Sequence, residues 1–241
     1  MDLESIRNIC WSTDDRLWDA YDRSIFDDGR APAICRLVFP RYSEQRGGKL
    51  RVSEQEARFA FAASLEGEPF EYSVETPTQE AYQQSGAKSL SAQTDLTLYE
   101  PSGVQLLNVE FKSKGASTAA KSNLRIAKDV EKLLRESPPG LWFHLFERVD
   151  STSIGKLLGV VTSELASQLE RFGSSGDQKI LLFHICVLAH GFSIHKPVFL
   201  ESGASTAESI SQQLCLKYHV SREELLDIPD ENEWLSHYRG R

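Results

Sequence analysis

Three residues that could act together in catalysis, Asp95, Glu110 and Lys112, lie in two short runs of alternating apolar and polar side chains. Because side chains of a strand alternate between its two faces, both runs are predicted strands. The turn-forming residues 100–103 between them predict a hairpin. A loop over 101–104 pairs Asp95 with Glu110, Leu96 with Val109 and Leu98 with Leu107. A slip of one residue would set the leucines opposite charges, so the pattern favours this register.

The predicted register brings two carboxylates together. Directly opposed residues have Cβ atoms about 4.5–5.5 Å apart, close enough for Asp95 and Glu110 to share a cation. Mg²⁺ prefers oxygen ligands and commonly takes one or two carboxylates with substrate phosphate and water. Lys112 would lie beside that cation and orient water or balance charge on phosphate. The pattern indicates metal-dependent phosphodiester hydrolysis; the alternative is a surface hairpin with a cross-strand ion pair, because such spacing is common.

The elements around the hairpin are predicted from caps, breakers and periodicity. Ser53 and Glu56 fit a capping box that opens a helix, and Pro77 is expected to end the strand before the hairpin. The predicted ranges are a helix over 53–66, a strand over 70–76, the two hairpin strands, a helix over 117–136, a strand over 141–146, a helix after Ser151 and a strand over 180–188. The order αβββαβ, followed by αβ, predicts an α/β fold.

With the hairpin residues placed in this order of elements, the chain resembles the PD-(D/E)XK nuclease superfamily over about 53–188. The resemblance implies a restriction-endonuclease-like αβββαβ core with a mixed central sheet flanked by helices. It implies that Asp95 and Glu110 bind Mg²⁺ or Mn²⁺ and that Lys112 positions the attacking water. The expected activity is endonucleolytic cleavage of nucleic acid, DNA rather than RNA.

Two details of the resemblance concern single residues. The family often adds an acidic residue from the first helix, which implies a catalytic role for Glu56 or, as second choice, Glu54. Glu56 also has a complete structural explanation as the capping-box residue, so both roles stay open. Thr94 stands before Asp95 where the family's name-giving motif has proline. Glu75, in the preceding strand, is a further candidate, although an exposed edge charge is the simpler explanation.

A basic stripe follows the hairpin on the predicted helix over 117–136. Its members recur every three or four residues: Lys121, Arg125, Lys128, Lys132 and Arg135. The stripe lies opposite the apolar positions, so the helix could bury one side and present a cationic ridge to phosphates. Lys121, Arg125, Lys128 and Lys132 are therefore candidate nucleic-acid contacts. The alternative is a solvated helix face.

Composition limits the size of any nucleic-acid surface. The formal net charge of the 241 residues is −8, unlike the basic balance of a chain that binds nucleic acid over its whole surface. Contact with DNA is therefore expected to be local. The chain has no apolar run long enough to span a membrane and no secretion signal at its N-terminus, so a soluble cytoplasmic protein is the expectation.

Three regions are predicted along the chain: an extension over 1–50 packed on the core, the nuclease-like domain over 51–200, and a helical extension over 201–241. The terminal helices are candidates for covering a sheet edge, completing a substrate groove or forming a homodimer. Four scattered cysteines fit reduced, buried thiols. His144 and His184, inside apolar runs, are expected to be hydrogen-bonded core residues. A competing hypothesis is a nuclease-like fold that serves only as a binding or assembly module.

Overall fold

The computed structural model describes residues 2–25, 36–82, 90–113, 123–147, 179–189 and 191–200. Three helices, a short 3₁₀ turn and six strands lie in these ranges. The helices are α1 (Leu3–Ile25), α2 (Glu54–Ala63) and α3 (Asn123–Arg135), and the 3₁₀ turn is Glu44–Arg46. The strands are β1 (Glu71–Tyr82), β2 (Leu90–Tyr99), β3 (Gln105–Lys112), β4 (Gly140–Phe146), β5 (Lys179–Val187) and β6 (Phe192–Leu200).

The six strands form one mixed sheet in the order β1-β2-β3-β4-β5-β6. The first three strands form an antiparallel meander, β3, β4 and β5 run parallel, and β6 returns antiparallel to β5. Since parallel neighbours need a crossover connection, α3 connects β3 to β4. The expected α/β class with a mixed sheet flanked by helices is confirmed, and the order from α2 to β4 is αβββαβ.

Helices α1 and α2 cover one face of the sheet. Phe61 of α2 packs edge-on against Phe111 of β3 and Phe143 of β4, with ring centroids 5.6 and 6.3 Å apart. Ile9 and Leu17 of α1 belong to the same core cluster. The N-terminal segment therefore packs on the sheet's core through α1.

Helix α3 contacts β3, β4 and β5. Its Ile126, Val130 and Leu133 are buried, as the predicted apolar side requires. At Gly140, the first residue of β4, an added Cβ would lie 2.8 Å from the Cβ of Leu133. Glycine is therefore the residue that lets the helix approach the sheet this closely. Because neighbouring residues of β3 alternate, Glu110 and Lys112 point away from the core of Phe111 and toward α3.

Two predicted boundaries differ from the structure. The strand expected to stop before Pro77 continues to Tyr82, and Pro77 lies opposite Gln93 of β2. This prediction was wrong because β1 is an edge strand, where the missing N–H of proline need not interrupt the ladder. Helix α2 is shorter than the predicted 53–66, and α3 is described only from Asn123. The predicted helix after Ser151 and the extension over 201–241 lie outside the described residues.

The prediction for His184 is confirmed. His184 is fully buried in β5, and its Nε2 lies 2.9 and 2.8 Å from the two carboxylate oxygens of Asp14 in α1. His144 of β4 is also buried, and its ring stacks on Phe146 with centroids 4.2 Å apart. Within the described ranges, no helix combines the length and the apolar character needed to cross a membrane.

Candidate functional site

The hairpin of β2 and β3 has the predicted register at its two apolar pairs and departs from it beside the turn, where a shift pairs Tyr99 with Gln105. Leu96 pairs with Val109, and Leu98 pairs with Leu107. Between these pairs, Thr97 Oγ1 donates a hydrogen bond of 2.8 Å to Asn108 Oδ1 on the other face. The observed pairing ends at Leu96 and Val109, and Asp95 and Glu110 are the next residues beyond it on the two strands. All four apolar residues are fully buried, so the hydrophobic pattern fixed the pairing as expected.

Glu110 is almost fully buried, with 1% of its surface exposed. Its Oε1 accepts a hydrogen bond of 2.6 Å from the ammonium of Lys132, which also donates to the backbone carbonyl of Gln93 at 2.7 Å. Its Oε2 lies 3.7 Å from the ammonium of Lys112. The carboxyl of Glu110 is thus held between two lysines, one on its own strand and one on α3.

Lys112 is the second predicted residue of this group. Its ammonium lies 2.9 Å from Asp129 Oδ2 on α3 and 5.9 Å from the centre of the Trp142 ring. Burial lowers the pKa of Lys112, but the charges of Asp129 and Glu110 outweigh it and hold the pKa above its ordinary value. Lys112 is therefore a fixed cation and a hydrogen-bond donor, not a base, in this arrangement.

Asp95 is held from two sides. Its Oδ1 accepts a hydrogen bond of 2.7 Å from Arg58 on α2, and its Oδ2 accepts one of 2.9 Å from the backbone N–H of Phe111. These contacts fix the carboxylate beside the start of the β2–β3 pairing. Because a carboxylate oxygen has more than one lone pair, both oxygens can still accept a further partner.

Burial raises the pKa of Glu110 from 4.5 to about 8. Lys132 and Lys112 lower this pKa, while the carboxylates of Asp129 and Asp95 raise it. Two ammonium groups therefore do not offset the combined effect of burial and two nearby negative charges. A divalent cation between Asp95 and Glu110 would supply the missing positive charge, since a bound cation favours ionised ligands.

The raised pKa predicts how stability depends on pH in the presence of a chelator. Between pH 4.5 and about 8, folded Glu110 holds a proton that the unfolded chain has released. The free energy of unfolding is therefore expected to fall as pH rises through this window. Denaturant titrations of the wild type at successive pH values measure this slope. Glu110→Gln should have a flatter slope; an equally steep one would contradict the assignment of the proton to Glu110.

The donor set of the site fits a hard divalent cation. Asp95 and Glu110 offer carboxylate oxygens at adjoining positions of β2 and β3. Oxygen donors of this kind suit Mg²⁺ and Mn²⁺. Asp95 and Glu110 are the residues that would hold the ion, and Lys112 is the cationic group beside them.

Glu56, the first-choice acidic residue of α2, is engaged in capping its own helix. Glu56 Oε2 accepts the backbone N–H of Ser53 at 2.8 Å, and its Oε1 lies 3.3 Å from Arg51. Glu56 thus completes the predicted capping box at the start of α2. The negative charge of Glu54, by contrast, contributes to the raised pKa of Lys112. Glu56 is therefore engaged as a cap, and Glu54 is the residue of this helix whose charge acts on Lys112.

This difference predicts opposite phenotypes for two neighbouring substitutions. Glu56→Ala should lower the free energy of unfolding by about 1 kcal/mol through loss of the cap, with activity per folded molecule unchanged. Glu54→Gln should leave the melting temperature near that of the wild type and change the metal-dependent activity. Thermal melts and initial rates on the same preparations measure both. If Glu56→Ala lost activity while keeping wild-type stability, Glu56 would be the catalytic residue of this helix after all.

The basic stripe is not the exposed ridge that its spacing predicts. Lys132 is only 6% exposed and belongs to the site through Glu110, so its prediction as an exposed nucleic-acid contact needs correction. The physical reason is that α3 turns this part of the stripe toward β3. Lys128 is half-buried, and Arg135 pairs with Glu131 at 3.1 Å. Lys121 and the side chain of Arg125 lie outside the described residues.

Sequence reasoning missed two residues of the site, Asp129 and Arg58. Asp129 lies three residues before Lys132 on α3, a spacing that places both on one side of a helix. Arg58 lies four residues after Glu54 on α2, at the same kind of spacing. These spacings were the available signals, but each became meaningful only with the partner strand in place.

Glu75 of β1 is an exposed charge on the edge strand, as the simpler of its two interpretations predicts. Its side chain is 63% exposed, and its Oε1 lies 3.6 Å from Arg58 Nη1. Its backbone φ of 51° lies in the left-handed region, which is uncommon for a residue other than glycine. Arg58 thus links Glu75 to Asp95 across the start of the hairpin.

Comparison with protein-family models, curated proteins and solved structures gave no match to this chain. The function must therefore be argued from the site itself. The site contains three carboxylates (Asp95, Glu110, Asp129) and three cations (Arg58, Lys112, Lys132). Each carboxylate lies close to at least one of these cations, and the six residues are carried by β2, β3, α2 and α3. Such a cluster can bind a cation, orient water and stabilise negative charge on a phosphate.

Proposed function

We propose that this chain is a metal-dependent endonuclease of the PD-(D/E)XK type that hydrolyses phosphodiester bonds of nucleic acid. The observation that carries the proposal is the meeting of Asp95, Glu110 and Lys112 at one end of the β2–β3 hairpin. Glu110 lies 3.7 Å from Lys112, and the charge of Asp95 raises the pKa of Glu110. The αβββαβ order from α2 to β4 supports a restriction-endonuclease-like core.

The proposed mechanism assigns one task to each residue. Asp95 and Glu110 would hold Mg²⁺ or Mn²⁺, which when bound lowers the pKa of water and polarises the phosphate. Arg58 and the Phe111 N–H keep the carboxylate of Asp95 in one orientation. Lys112, held by Asp129, presents its ammonium beside Glu110, where it can orient the attacking water and offset charge on the phosphate.

The proposed substrate is DNA before RNA, as the resemblance to this superfamily implies. Since the net charge of the chain is −8, contact with phosphate should be confined to the neighbourhood of the site. Lys128 in the middle of α3 is half-buried, and Arg51, which precedes α2, is exposed. These two cations are candidates for that contact. The free thiols of Cys10 and Cys186 fit the proposed cytoplasmic location, and a homodimer stays part of the proposal.

A second candidate is a nuclease-like fold that binds or assembles without cleavage. The observation that favours it is the ion-pair network, in which each carboxylate of the group already has a protein cation. Lys132 in particular lies 2.6 Å from Glu110 Oε1, where it neutralises part of the charge that a metal would need.

Calorimetry and a cleavage assay separate the two candidates. The purified wild type is titrated with Mn²⁺ and, separately, incubated with plasmid DNA and structured RNA in Mg²⁺, in Mn²⁺ or in chelator. The nuclease proposal expects Mn²⁺ binding that depends on Glu110 and cleavage that requires the ion. If the protein binds neither Mn²⁺ nor Mg²⁺ and DNA and RNA stay intact under every condition, the nuclease proposal is wrong and the non-catalytic module is the remaining candidate.

A further inference from the structure

A second group of metal-ligating residues lies on the face of the sheet that α1 covers. Among the described residues, Cys10 of α1, His184 of β5 and His195 of β6 each offer one ligand atom, and these atoms lie within 4.8 Å of one another. Cys10 and His184 are fully buried, and His195 is half-buried. None of the three belongs to the group around Glu110.

Asp14 fixes the orientation of the His184 ring. Both of its carboxylate oxygens lie within 2.9 Å of His184 Nε2, so this nitrogen carries the proton that the carboxylate accepts. The other nitrogen, Nδ1, then has a free lone pair. A carboxylate that holds one nitrogen of a histidine while the other binds metal is a recurring feature of metal sites.

The free nitrogen of His184 points at a second imidazole. His184 Nδ1 lies 3.1 Å from His195 Nδ1. Two nitrogens that bind one Zn²⁺ tetrahedrally at about 2.0–2.1 Å are about 3.3 Å apart. The observed separation is therefore close to that of two ligands of one ion. A hydrogen bond between the rings, with the proton on His195, is the alternative explanation of the same distance.

We infer that Cys10, His184 and His195 form a binding site for a divalent transition metal, Zn²⁺ by preference, with Asp14 as the residue that orients His184. One thiolate and two imidazoles form a donor set that suits Zn²⁺ and not Mg²⁺. The three protein donors leave a fourth tetrahedral position that water or an external ligand could take. The Cys10 thiolate and the Asp14 carboxylate together balance the charge of the ion.

The consequence of this site would be a link between distant parts of the chain. Cys10 lies on α1, while His184 and His195 lie opposite each other on the last two strands of the sheet. A metal bound by all three would tie α1 to the β5–β6 hairpin. Because the ion binds only the folded arrangement, loading is expected to raise the melting temperature.

The experiment uses the full chain, stripped of metal and reloaded with Zn²⁺ or Co²⁺. Wild type should retain one equivalent of Zn²⁺ after dialysis, and the Co²⁺ form should show tetrahedral visible bands and a thiolate-to-cobalt charge-transfer band. Cys10→Ser and His195→Gln should lose the equivalent, and Cys10→Ser should lose the charge-transfer band. Asp14→Asn should bind Zn²⁺ roughly 10–100-fold more weakly, the usual effect of losing such an orienting residue.

Two matched controls make the outcome decisive. Cys186→Ser replaces the other buried thiol of this core, which contributes no atom to the ligand group, and should keep the metal and the charge-transfer band. Glu110→Gln should also keep the Zn²⁺ equivalent, which separates this site from the proposed nuclease centre. The inference is overturned if wild type retains no more Zn²⁺ than His195→Gln, or if its Co²⁺ form has no thiolate band. Loss of the band in Cys186→Ser with retention in Cys10→Ser would overturn it equally.

Discussion

Glu110→Gln is expected to remove metal-dependent cleavage while the protein stays folded. The substitution keeps the size of the side chain but removes the charge that would bind the ion between β2 and β3. The amide also cannot replace the carboxylate as an oxygen ligand of equal strength, since hard cations favour charged oxygen donors. Gln93 and Asp129 remain as partners of Lys132, so the thermal melt should stay close to that of the wild type.

Lys112→Ala tests, in the same cleavage assay, whether Lys112 takes part in catalysis. If Lys112 orients the attacking water or offsets charge on the phosphate, the rate should fall by roughly 10²–10⁴-fold. Mn²⁺ binding should persist, because Asp95 and Glu110 remain. Initial rates at saturating metal, together with calorimetry on the same protein, separate a loss of chemistry from a loss of metal.

Glu100→Gln provides the matched control for both variants. Glu100 is an exposed carboxylate on the turn of the same hairpin, and its side chain accepts a hydrogen bond from Ser102 at 3.1 Å. Its replacement should change neither cleavage nor metal binding. Wild-type rates in Glu110→Gln or in Lys112→Ala would refute the proposed centre, whatever the result of the control.

Lys132→Ala is expected to have the largest effect on stability among the charged residues of the site. Its ammonium, almost fully buried, contacts Glu110 and the Gln93 carbonyl at 2.6 and 2.7 Å. Truncation leaves the buried Glu110 carboxyl and the Gln93 carbonyl without this donor. Breaking a buried ion pair from one side costs about 3–5 kcal/mol. The lower end, about 3 kcal/mol, is expected because Glu110 can take up a proton.

Denaturant titration at about pH 9, above the pKa of Glu110, where its carboxyl is charged, measures the loss in Lys132→Ala. Lys128→Ala is the matched control, since Lys128 lies one turn earlier on α3 and is half-buried; it should cost no more than about 0.5 kcal/mol, as surface substitutions usually do. The double variant Glu110→Gln/Lys132→Met, in which both charges are removed, should recover much of the stability. A loss in Lys132→Ala as small as that in Lys128→Ala would show that the buried pair contributes little.

The hairpin illustrates what a local pattern can determine. Leu96, Leu98, Leu107 and Val109 alternate with polar residues, and only registers that differ by two residues keep all four on one face. The turn residues then select one of these registers. The capping box at Ser53 and Glu56 could be predicted from the sequence for the same reason, since all its partners lie within one helical turn.

The basic stripe illustrates where a local pattern stops. Spacing correctly placed Lys128 and Lys132 on one side of a helix, but it did not say which part of that side would meet the sheet. The approach of α3 at Gly140 decides this, because it buries Lys132 beside Glu110. The same approach brings in Asp129, which had no assigned role in the sequence.

By itself, the sequence determined the α/β class, the order of elements around the hairpin and the pairing of Leu96 with Val109 and of Leu98 with Leu107. These follow from periodicity, caps and turns, which act between residues close in the chain. Only the tertiary structure decided that Lys132 contacts Glu110 and that Cys10 lies close to His184 and His195. Those contacts join residues 22 to 185 positions apart, and they depend on how helices pack on a sheet, which no local spacing encodes.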